Sequence, residues 1–329
     1  MIKTRENDII EQNKVVIDVR NLKKYYNGIK AVDGISFKIF QGECFGFLGP
    51  NGAGKTTTIN LLSCYLKPDS GDIFIMDLDV KKEPSKVKQF LGIVPQENIF
   101  FEELSVYENL MFFGKMYSND KEKLKNRINF LMKKVGLEEN SRTKAAKLSG
   151  GMKRRLNLIL GLVNDPEILF LDEPTTGLDP QSRRLVWDYI FELKERKKTI
   201  FLTTHYMEEA DFLSDRLAII DYGKIIAEGT PEKLKETIGK GDLLNFKVEG
   251  NKSNILKVIH SLDSEEVSAS LDEIEGDFLV KIKALDGIGK IGDIISCFID
   301  NKIKVLDIDV KRNSLENVFL TLTGRSLRN

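Results

Sequence analysis

A glycine-rich stretch that could hold phosphate lies between a predicted strand and a predicted helix. It runs from Gly49 to Thr57 and has the pattern G-x-x-x-x-G-K-[ST], completed by Gly54, Lys55 and Thr56. Glycines let the backbone curl around phosphate oxygens, and the start of the following helix directs N–H groups at them. Lys55 would supply a cation for the phosphates, and Thr56 a hydroxyl for Mg²⁺, which prefers oxygen ligands. A plain glycine-rich turn is the alternative, and the strand–turn–helix context favours a nucleotide over it.

An apolar run further along the chain ends in two carboxylates. Ile168–Leu171 is typical of a buried parallel strand, and Asp172 and Glu173 follow it directly. The carboxyl end of such a strand delivers side chains to the crevice where ligands bind. Asp172 is therefore placed to hold Mg²⁺ through a water, and Glu173 to orient and deprotonate an attacking water. Without the phosphate-binding stretch, an acidic turn after a strand would be the simpler interpretation.

Two further polar residues come after predicted strands. Gln96 follows the strand Leu91–Val94, and its amide oxygen could bind the metal or sense its water. His205 follows the strand Thr199–Thr203 and could hydrogen-bond a γ-phosphate. Taken singly, each has a simpler interpretation as a loop residue, so both depend on the motifs above. The other histidine, His260, has no predicted role.

A second predicted helix start, at residues 148–152, has the features of an anion-binding site, although it lies outside the phosphate-binding stretch. Residues Leu148 to Met152 have the sequence Leu-Ser-Gly-Gly-Met, in which Ser149 is a good N-cap and the glycines expose backbone N–H groups. The chain already has one phosphate site. The sequence therefore suggests that this helix start serves an anion brought from elsewhere.

Together these motifs resemble the nucleotide-binding subunits of ATP-binding cassette (ABC) transporters. The resemblance covers about residues 15–235 and keeps the order of motifs that is usual in the family. The motifs are Walker A at Gly49–Thr57, the Q-loop at Gln96, the signature at Leu148–Met152, Walker B at Ile168–Glu173, the D-loop at Gly177–Pro180 and the switch histidine at His205.

The resemblance implies a head-to-tail dimer, in which ATP on the Walker A of one copy is closed over by the signature of the other. Asp179 would couple the two sites, and Tyr26 would stack on adenine, with Tyr25 as the alternative. The implied cofactors are ATP and Mg²⁺. The implied nucleotide-binding residues are Tyr26, Gly49, Pro50, Asn51, Gly52, Ala53, Gly54, Lys55, Thr56, Thr57, Ser149, Gly150, Gly151 and Asp179; the catalytic ones are Glu173, His205 and Gln96, and the metal-binding ones Thr56, Gln96 and Asp172.

Two features of the chain resemble those of one branch of the family, the daunorubicin-resistance type. In that branch the ATPase and the permease are separate chains. The signature ends in Met152, where Gln is commonest, and the segment Asn313–Arg325 near the C-terminus is similar to the tail of those ATPases. An ordinary amphipathic helix is the alternative for the tail. The branch implies export of a substrate through integral membrane permease subunits. Their coupling helix would dock near Gln96 and Phe100–Leu110, where the exposed part of an aromatic-rich run would form the contact.

The order of elements predicts an α/β fold. Apolar strands alternate with helices, which is typical of a parallel sheet covered on both faces. The resemblance adds a P-loop NTPase core with an antiparallel β subdomain, and the helices Ser105–Met116 and Lys121–Val135 predict a helical subdomain. We expect a tail at residues 1–14, an ATPase domain at 15–238, a hinge at Gly239–Gly241 and an accessory domain at 242–329, whose βαββαβ order predicts a ferredoxin-like sheet.

The composition limits the classes of function. The 329 residues carry 50 basic and 50 acidic side chains, so no net positive charge draws the chain to nucleic acid, which we do not expect as a partner. The three cysteines form no CxxC pair, which fits a reducing cytoplasm. No apolar run is long enough to cross a bilayer, and the N-terminus is unlike a signal peptide. We therefore expect a cytoplasmic protein held at the inner face of the membrane by its permease.

Two alternatives to export are a non-transport ABC ATPase that acts on the ribosome or DNA, and an inactive binding module. A non-transport ABC ATPase acting on the ribosome would usually carry two cassettes, and this chain has one. One acting on DNA would need a long coiled coil, for which the roughly 95 residues between Gly54 and Leu148 are too few. An inactive binding module would not need Lys55, Asp172 and Glu173 together.

Overall fold

The structure is a computed structural model that describes residues 14–237, 242–262, 267–274, 277–284, 287–311 and 313–324. The described chain divides into two compact units, one ending at Pro231 and the other beginning at Glu232. Apart from Lys14, the predicted tail lies outside the described residues, as does the predicted hinge. The predicted domain limits at residues 238 and 242 stay a prediction.

The first unit is built on two sheets. The central one has the strand order β10-β9-β3-β8-β7-β6, and all neighbours are parallel except β9 and β10. The strands of both sheets are β1 (Val15–Tyr26), β2 (Ile29–Phe40), β3 (Cys44–Leu48), β4 (Ser70–Ile75), β5 (Leu78–Asp79), β6 (Leu91–Val94), β7 (Ile168–Asp172), β8 (Thr199–Thr204), β9 (Arg216–Asp221) and β10 (Lys224–Gly229). Every residue of β3, β7 and β8 is buried, which confirms the predicted parallel sheet covered on both faces.

Phe201, on β8, lies at the centre of an aromatic cluster on one face of this sheet. Its ring centroid is 5.3–6.2 Å from those of Phe37, Phe45, Phe47 and Phe170, the first of which comes from β2. Such contacts add to the area that the rings bury. The cluster therefore joins the central sheet to the second sheet of the unit.

The second sheet of this unit is antiparallel, with the order β2-β1-β4-β5, and confirms the predicted β subdomain. Its first strand continues to Tyr26, beyond the predicted end at Val19. Asn21 has a positive φ of 45°, and the pairing with β2 shifts register between Val19 and Leu22. A bulge therefore interrupts the alternation of apolar residues without ending the strand.

The α-helices described before residue 237 lie between or after the strands of these sheets along the chain. They are α1 (Lys55–Leu62), α2 (Pro84–Val87), α3 (Val106–Lys115), α4 (Lys121–Lys134), α5 (Gly150–Leu160), α6 (Pro180–Glu195), α7 (Met207–Leu213) and α8 (Pro231–Glu236). Helices α3 and α4 share a core with α5, as predicted for the helical subdomain. Ser105 and Glu108 form a reciprocal capping box at the start of α3.

Two helix ends differ from the sequence pattern for a visible reason. The pattern after Gly54 predicts a helix to about Leu66, and α1 ends at Leu62, because Cys64 adopts a left-handed φ of 60°. The periodic residues predict a helix from Arg183, and α6 begins earlier, at Pro180, behind the N-cap Asp179. Helix α5 begins at Gly150, as the predicted N-cap Ser149 implies. Both caps accept a hydrogen bond from the backbone N–H of the third helical residue, at 3.3 Å for Ser149 and 2.9 Å for Asp179.

The second unit has the predicted βαββαβ order. Its elements are β11 (Asp242–Glu249), α9 (Lys252–Leu262), β12 (Val267–Ile274), β13 (Asp277–Ala284), α10 (Gly287–Asp300), β14 (Lys304–Lys311) and a final helix α11 (Leu315–Thr323). The antiparallel order β12-β13-β11-β14 is that of a ferredoxin-like sheet. The sheet shares a core with α9 and α10 in which Phe246 packs on Phe298.

Within the described residues, no helix combines the length and the apolar character needed to cross a bilayer.

The aromatic cluster predicts a large loss of stability on removal of Phe201. Phe201→Ala should lower the free energy of unfolding of the first unit by about 3–5 kcal/mol, since the surrounding rings cannot close the cavity. Urea unfolding followed by the fluorescence of Trp187, the single tryptophan, measures this unit directly. The control is Phe191→Ala, where the ring is 42% exposed and the expected loss is about 1 kcal/mol or less. Equal losses would contradict the cluster's role.

Candidate functional site

The glycine-rich stretch forms a tight loop between β3 and α1. Gly52 and Gly54 have positive φ values of 80° and 107°, a region that glycine adopts without strain. A Cβ on Gly54 would lie 2.2 Å from the carbonyl oxygen of Ala31, and one on Gly49 would lie 2.3 Å from that of Ile220. Gly54 is also the N-cap of α1 and has no side chain to satisfy the first N–H groups of the helix. The loop therefore presents backbone donors at a point where only glycine fits.

Lys55 is buried at the base of this loop. Its Nζ donates to the carbonyl oxygens of Gly49 at 2.8 Å and of Pro50 at 3.1 Å, and it lies 3.0 Å from Oε1 of Glu173. The side chains of Lys55 and Glu173 are only 4% and 6% exposed. A buried ion pair therefore joins the glycine loop to the carboxylate after β7. The two sequence motifs lie together, as expected of parts of one site.

Asp172 is the last residue of β7 and is also buried. Its Oδ1 accepts a hydrogen bond of 2.5 Å from Oγ1 of Thr203, on the neighbouring strand β8. Burial raises the pKa of the Asp172 carboxyl, against the lowering effect of hydrogen bonds from Thr203 and Thr56. The Thr56 hydroxyl and the Asp172 carboxylate thus lie side by side.

Glu173 is held in a strained conformation. Its φ of 47° is in the left-handed region, and its N–H is shared between the carbonyl oxygen and Oγ1 of Thr203, at 3.0 and 3.2 Å. Its Oε2 accepts from Oγ1 of Thr176 at 3.0 Å and lies 2.9 Å from Nδ1 of His205 and 3.5 Å from Nε2 of Gln96. The structure thus brings together four side chains that were predicted separately: Lys55, Gln96, Glu173 and His205.

The other predicted residues lie on other parts of the surface. Ser149 and Asp179 are the N-caps of α5 and α6, and Gly151 lies beside Ser182 in the first turn of α6. Among the described residues, no hydrogen bond joins Ser149 or Asp179 to the Gly49–Thr57 loop. The signature and the D-loop therefore neighbour each other, apart from the Lys55 cluster.

Tyr25 and Tyr26 differ in how firmly their rings are held. The hydroxyl of Tyr25 donates to Asp33 at 2.7 Å, and its backbone N–H donates to Asp69. Tyr26 is 41% exposed, and its ring is approached by the Lys24 ammonium at 5.6 Å. Tyr25 is 36% exposed and has the Lys30 ammonium 5.9 Å from its ring centroid, so exposure does not separate the two rings, and the stacking of Tyr26 on adenine stays a prediction.

Comparison with known proteins places this geometry in a family. The model of the ABC transporter family matches residues 32–176. The linearmycin resistance ATP-binding protein of Bacillus subtilis is 40% identical to the chain, over 95% of the chain and all of that protein. This chain belongs to the ABC transporter family of ATP-binding proteins.

Other relatives agree with the daunorubicin-resistance branch. The Nod factor export ATP-binding protein I of a Rhizobium species is 37% identical, over 96% of the chain and 99% of that protein. The daunorubicin resistance ATP-binding protein of Streptomyces coeruleorubidus is 36% identical, over 95% and 97%. A solved ATP-binding cassette, described as a dimer in a post-hydrolysis state with ADP and Pi, covers 65% of the chain and 98% of its own, with a TM-score of 0.61 and 26% identity. The P-loop fold and the ATPase activity predicted from the sequence are confirmed.

A cleft beside the ABC ATPase's site runs between the central sheet and the helical subdomain. Its volume is about 700 Å³; Gln96 and Asp172 line it together with the rings of Tyr65, Phe113 and Tyr117. Of the aromatic run after Gln96, only part is exposed. Phe100 is buried, Tyr107 and Phe113 are half-buried, and Phe101 and Phe112 are exposed with ring centroids 5.1 Å apart.

Sequence reasoning gave no role to three polar residues around the site. Arg154 on α5 and Glu209 on α7 are buried, as is Thr203 on β8. Burial raises the pKa of Glu209, whose Oε1 accepts hydrogen bonds from Thr175 and Trp187. Glu209 lies beside the buried Ala210 and on the same face of α7 as the buried Leu213, and a carboxylate at such a position is the signal that would have found it.

The Glu173 cluster predicts a pH-dependent contribution to stability. Burial alone would raise the pKa of Glu173, but the His205 hydrogen bond and the Lys55 charge outweigh it and lower the pKa from 4.5 to about 2. Folding favours the ionised form of Glu173, so this stabilisation is complete at pH values above the pKa that Glu173 has in the unfolded chain. It is lost as pH falls from about 4.5 towards 2, and its full size is on the order of 3 kcal/mol.

The measurement compares wild type with Glu173→Gln by urea unfolding between pH 7 and pH 3. The difference in free energy of unfolding should be constant above about pH 5 and should shrink below about pH 4.5. Phe191→Ala, which removes an exposed ring and no titratable group, is the control, and its difference from wild type should be the same at each pH. A difference that stays flat down to pH 3 would contradict the lowered pKa.

Proposed function

We propose that this ABC ATPase powers the export of a substrate through a separate integral membrane permease, as a head-to-tail dimer of two copies. The observation that carries the proposal is the division of the site. The Lys55, Asp172 and Glu173 cluster lies at the glycine loop, whereas in the described part of the chain no hydrogen bond joins the helix start at Ser149 to that loop of its own copy. Two copies related by a two-fold axis would bring each helix start to the other's nucleotide.

Export, rather than action on the ribosome or nucleic acid, is supported by the relatives. Their names assign them to resistance against linearmycin and daunorubicin and to Nod factor export. The chain matches each of them over nearly its whole length. The same relatives support a position at the inner face of the cell membrane, held there by the permease.

The proposed nucleotide site is shared between the copies. In one copy, Tyr26 stacks on adenine and the backbone N–H groups of the Gly49–Thr57 loop cradle the phosphates, with Lys55 as their cation. In the other copy, Ser149, Gly150 and Gly151 cover the γ-phosphate, and Asp179 lies at the interface. The residues of the cradle are Gly49, Pro50, Asn51, Gly52, Ala53, Gly54, Lys55, Thr56 and Thr57.

The site also fits a magnesium ion. The hydroxyl of Thr56 and the carboxylate of Asp172 lie together, and the amide of Gln96 shares the cleft with them. Hydroxyl, carboxylate and amide oxygens are the hard ligands that Mg²⁺ takes in phosphate sites. When bound, the ion would neutralise charge on the β- and γ-phosphates. Asp172, Thr56 and Gln96 would hold it, with Gln96 also responding to its water.

Glu173 is the proposed general base. A water aligned with the γ-phosphate would give its proton to the Glu173 carboxylate. His205 lies against Oε2 of Glu173, where it would fix the orientation of the carboxylate and reach the γ-phosphate with its other ring nitrogen. Hydrolysis would remove the γ-phosphate contacts that hold the copies together, which gives ATP and ADP different affinities for the closed dimer.

The proposed permease contact is the cleft beside Gln96 and the exposed pair Phe101 and Phe112. Phe113 lines the cleft, and its ring centroid lies 6.2 Å from that of Phe101 and 5.5 Å from that of Phe112. An exposed apolar pair beside a cleft is typical of a docking site. A coupling helix seated there would touch the loop that carries Gln96. Movement of the loop on ATP binding would then reach the permease.

The dimer mechanism predicts a trapped state. Glu173→Gln should abolish ATP turnover while ATP still brings two copies together, because the base is lost and the phosphate contacts are kept. Size-exclusion chromatography with light scattering measures the dimer, and phosphate release measures turnover. Lys55→Ala is the control and should form no ATP-dependent dimer. Unchanged turnover in Glu173→Gln would contradict the assignment of Glu173 as the base. A fully active monomer would contradict the proposal that the nucleotide site is shared between two copies.

The docking proposal is tested with a matched pair of variants. Phe101→Ala with Phe112→Ala should lower co-purification with a detergent-solubilised permease about tenfold and leave ATPase activity without permease unchanged. The control pair is Phe191→Ala with Phe212→Ala, where two rings of 42% and 41% exposure also pack on each other, on α6 and α7. An equal loss in both pairs, or recovery of the wild type with ribosomes and without a permease, would contradict the proposal.

A further inference from the structure

Arg154 lies on the body of α5, the helix that starts at the signature serine, and its guanidinium is buried against the end of β7. Its Nη2 donates to the carbonyl oxygens of Asp172 at 2.8 Å and of Glu173 at 2.5 Å, and its Nε donates to that of Pro174 at 2.7 Å. These are the backbone atoms of the residues that the proposed metal site and general base depend on. The guanidinium therefore holds the backbone of the residues at the end of β7 that carry the two carboxylates.

The same guanidinium holds the loop that carries Gln96. Its Nη1 donates to the carbonyl oxygens of Pro95 at 2.9 Å and of Gln96 at 2.8 Å. One rigid, planar group thus spans two loops that are about 75 residues apart in sequence. Within the described residues, its hydrogen bonds go to backbone carbonyls and not to a carboxylate.

Asn157, one turn further along α5, holds the same loop. Its Nδ2 donates to the carbonyl oxygens of Pro95 and Glu97, both at 3.0 Å, and its Oδ1 accepts from the N–H of Ile99 at 3.0 Å. Asn157 is fully buried. All of these donors and acceptors are satisfied only while the loop keeps its present path over α5.

The chemistry of the contact explains why an arginine is needed. A guanidinium presents donors in a fixed fork and stays charged when it is buried, whereas an ammonium is a single point of charge. Five carbonyl oxygens facing one fork fix both the distance and the angle between the Gln96 loop and the end of β7. Gln96 Nε2 and Glu173 Oε2, which these two backbone segments carry, lie 3.5 Å apart.

We propose that Arg154 and Asn157 are positioning residues that fasten the signature helix to the Gln96 loop and to the Asp172–Glu173 strand end of the same copy. The inference rests on the proposed function, because it gives these loops their catalytic role. In that dimer, the start of α5 faces the nucleotide of the other copy. Its body then makes the geometry of one site depend on how the other nucleotide is held, through a continuous set of hydrogen bonds.

The test uses Arg154→Met with Arg155→Met as a matched control. Arg155 is the next residue of α5, and its guanidinium also donates to backbone carbonyls. The shortest bond goes to Val135 at 2.6 Å in the helical subdomain, and longer ones go to Gly136 at 3.5 Å and to Gly151 of its own helix at 3.4 Å. Arg154→Met should lower kcat about tenfold or more, with KM for ATP changed less than about threefold, because the catalytic groups lose their alignment. It should also raise the Mg²⁺ concentration for half-maximal activity, and Arg155→Met should change none of these more than about twofold.

A second variant covers the case in which Arg154→Met does not fold. Asn157→Ala should speed amide hydrogen exchange in a peptide of residues 95–101, which includes the Ile99 N–H, and leave exchange in the central strands unchanged. Exchange that stays the same, or rises equally along the whole chain, would overturn the inference. So would equal effects of Arg154→Met and Arg155→Met on kcat, or an unmoved Mg²⁺ dependence.

The two proposals fail in different measurements. The proposed function fails if Glu173→Gln still hydrolyses ATP. The inference on Arg154 and Asn157 fails if the two arginine variants behave alike or if the exchange experiment shows no local change. Both experiments use wild-type protein that hydrolyses ATP as the reference.

Discussion

The ion pair of Lys55 and Glu173 is the interaction around which the site is arranged. Taking each charge out of water costs several kcal/mol, and removing one partner would leave the other uncompensated. The carbonyl oxygens of Gly49 and Pro50 complete the shell of the ammonium, while Thr176 and His205 contact the carboxylate. The glycine loop, the strand end and the switch histidine are consequently fixed by one requirement, that neither charge is left unpaired.

The central sheet is what makes such a pair available. Strands β3, β8 and β7 are neighbours, and their carboxyl ends carry the glycine loop, His205 and Glu173. Adjacent strands lie about 4.8 Å apart, so residues far apart in sequence reach hydrogen-bonding distance at this edge. The left-handed backbone of Glu173 costs on the order of 1–3 kcal/mol, and the N–H shared with Thr203 on β8 helps to hold it there.

The sequence was sufficient for the residues whose type is dictated by chemistry. A glycine loop before a lysine, and carboxylates after an apolar run, have few other uses, and the parallel fold brings them together. Arg154 could not be predicted in this way, because it stands in the run Lys153–Arg155, which by pattern belongs to a solvated face. Only the packing of α5 shows that the middle residue of that run points inward with Asn157. The start of α6 and the bulge at Asn21 were missed for a related reason, since hydrophobic periodicity does not register caps or bulges.

The same ion pair ties the proposed base to the proposed phosphate site. Against the effect of burial, the His205 hydrogen bond and the Lys55 charge hold the pKa of Glu173 well below its usual value. The Lys55 ammonium also donates to the carbonyl oxygens of Gly49 and Pro50 in the glycine loop. Phosphates bound in that loop would be a second set of anions within reach of the same cation. The stability of the folded site and the proposed binding of nucleotide therefore depend on one charged group.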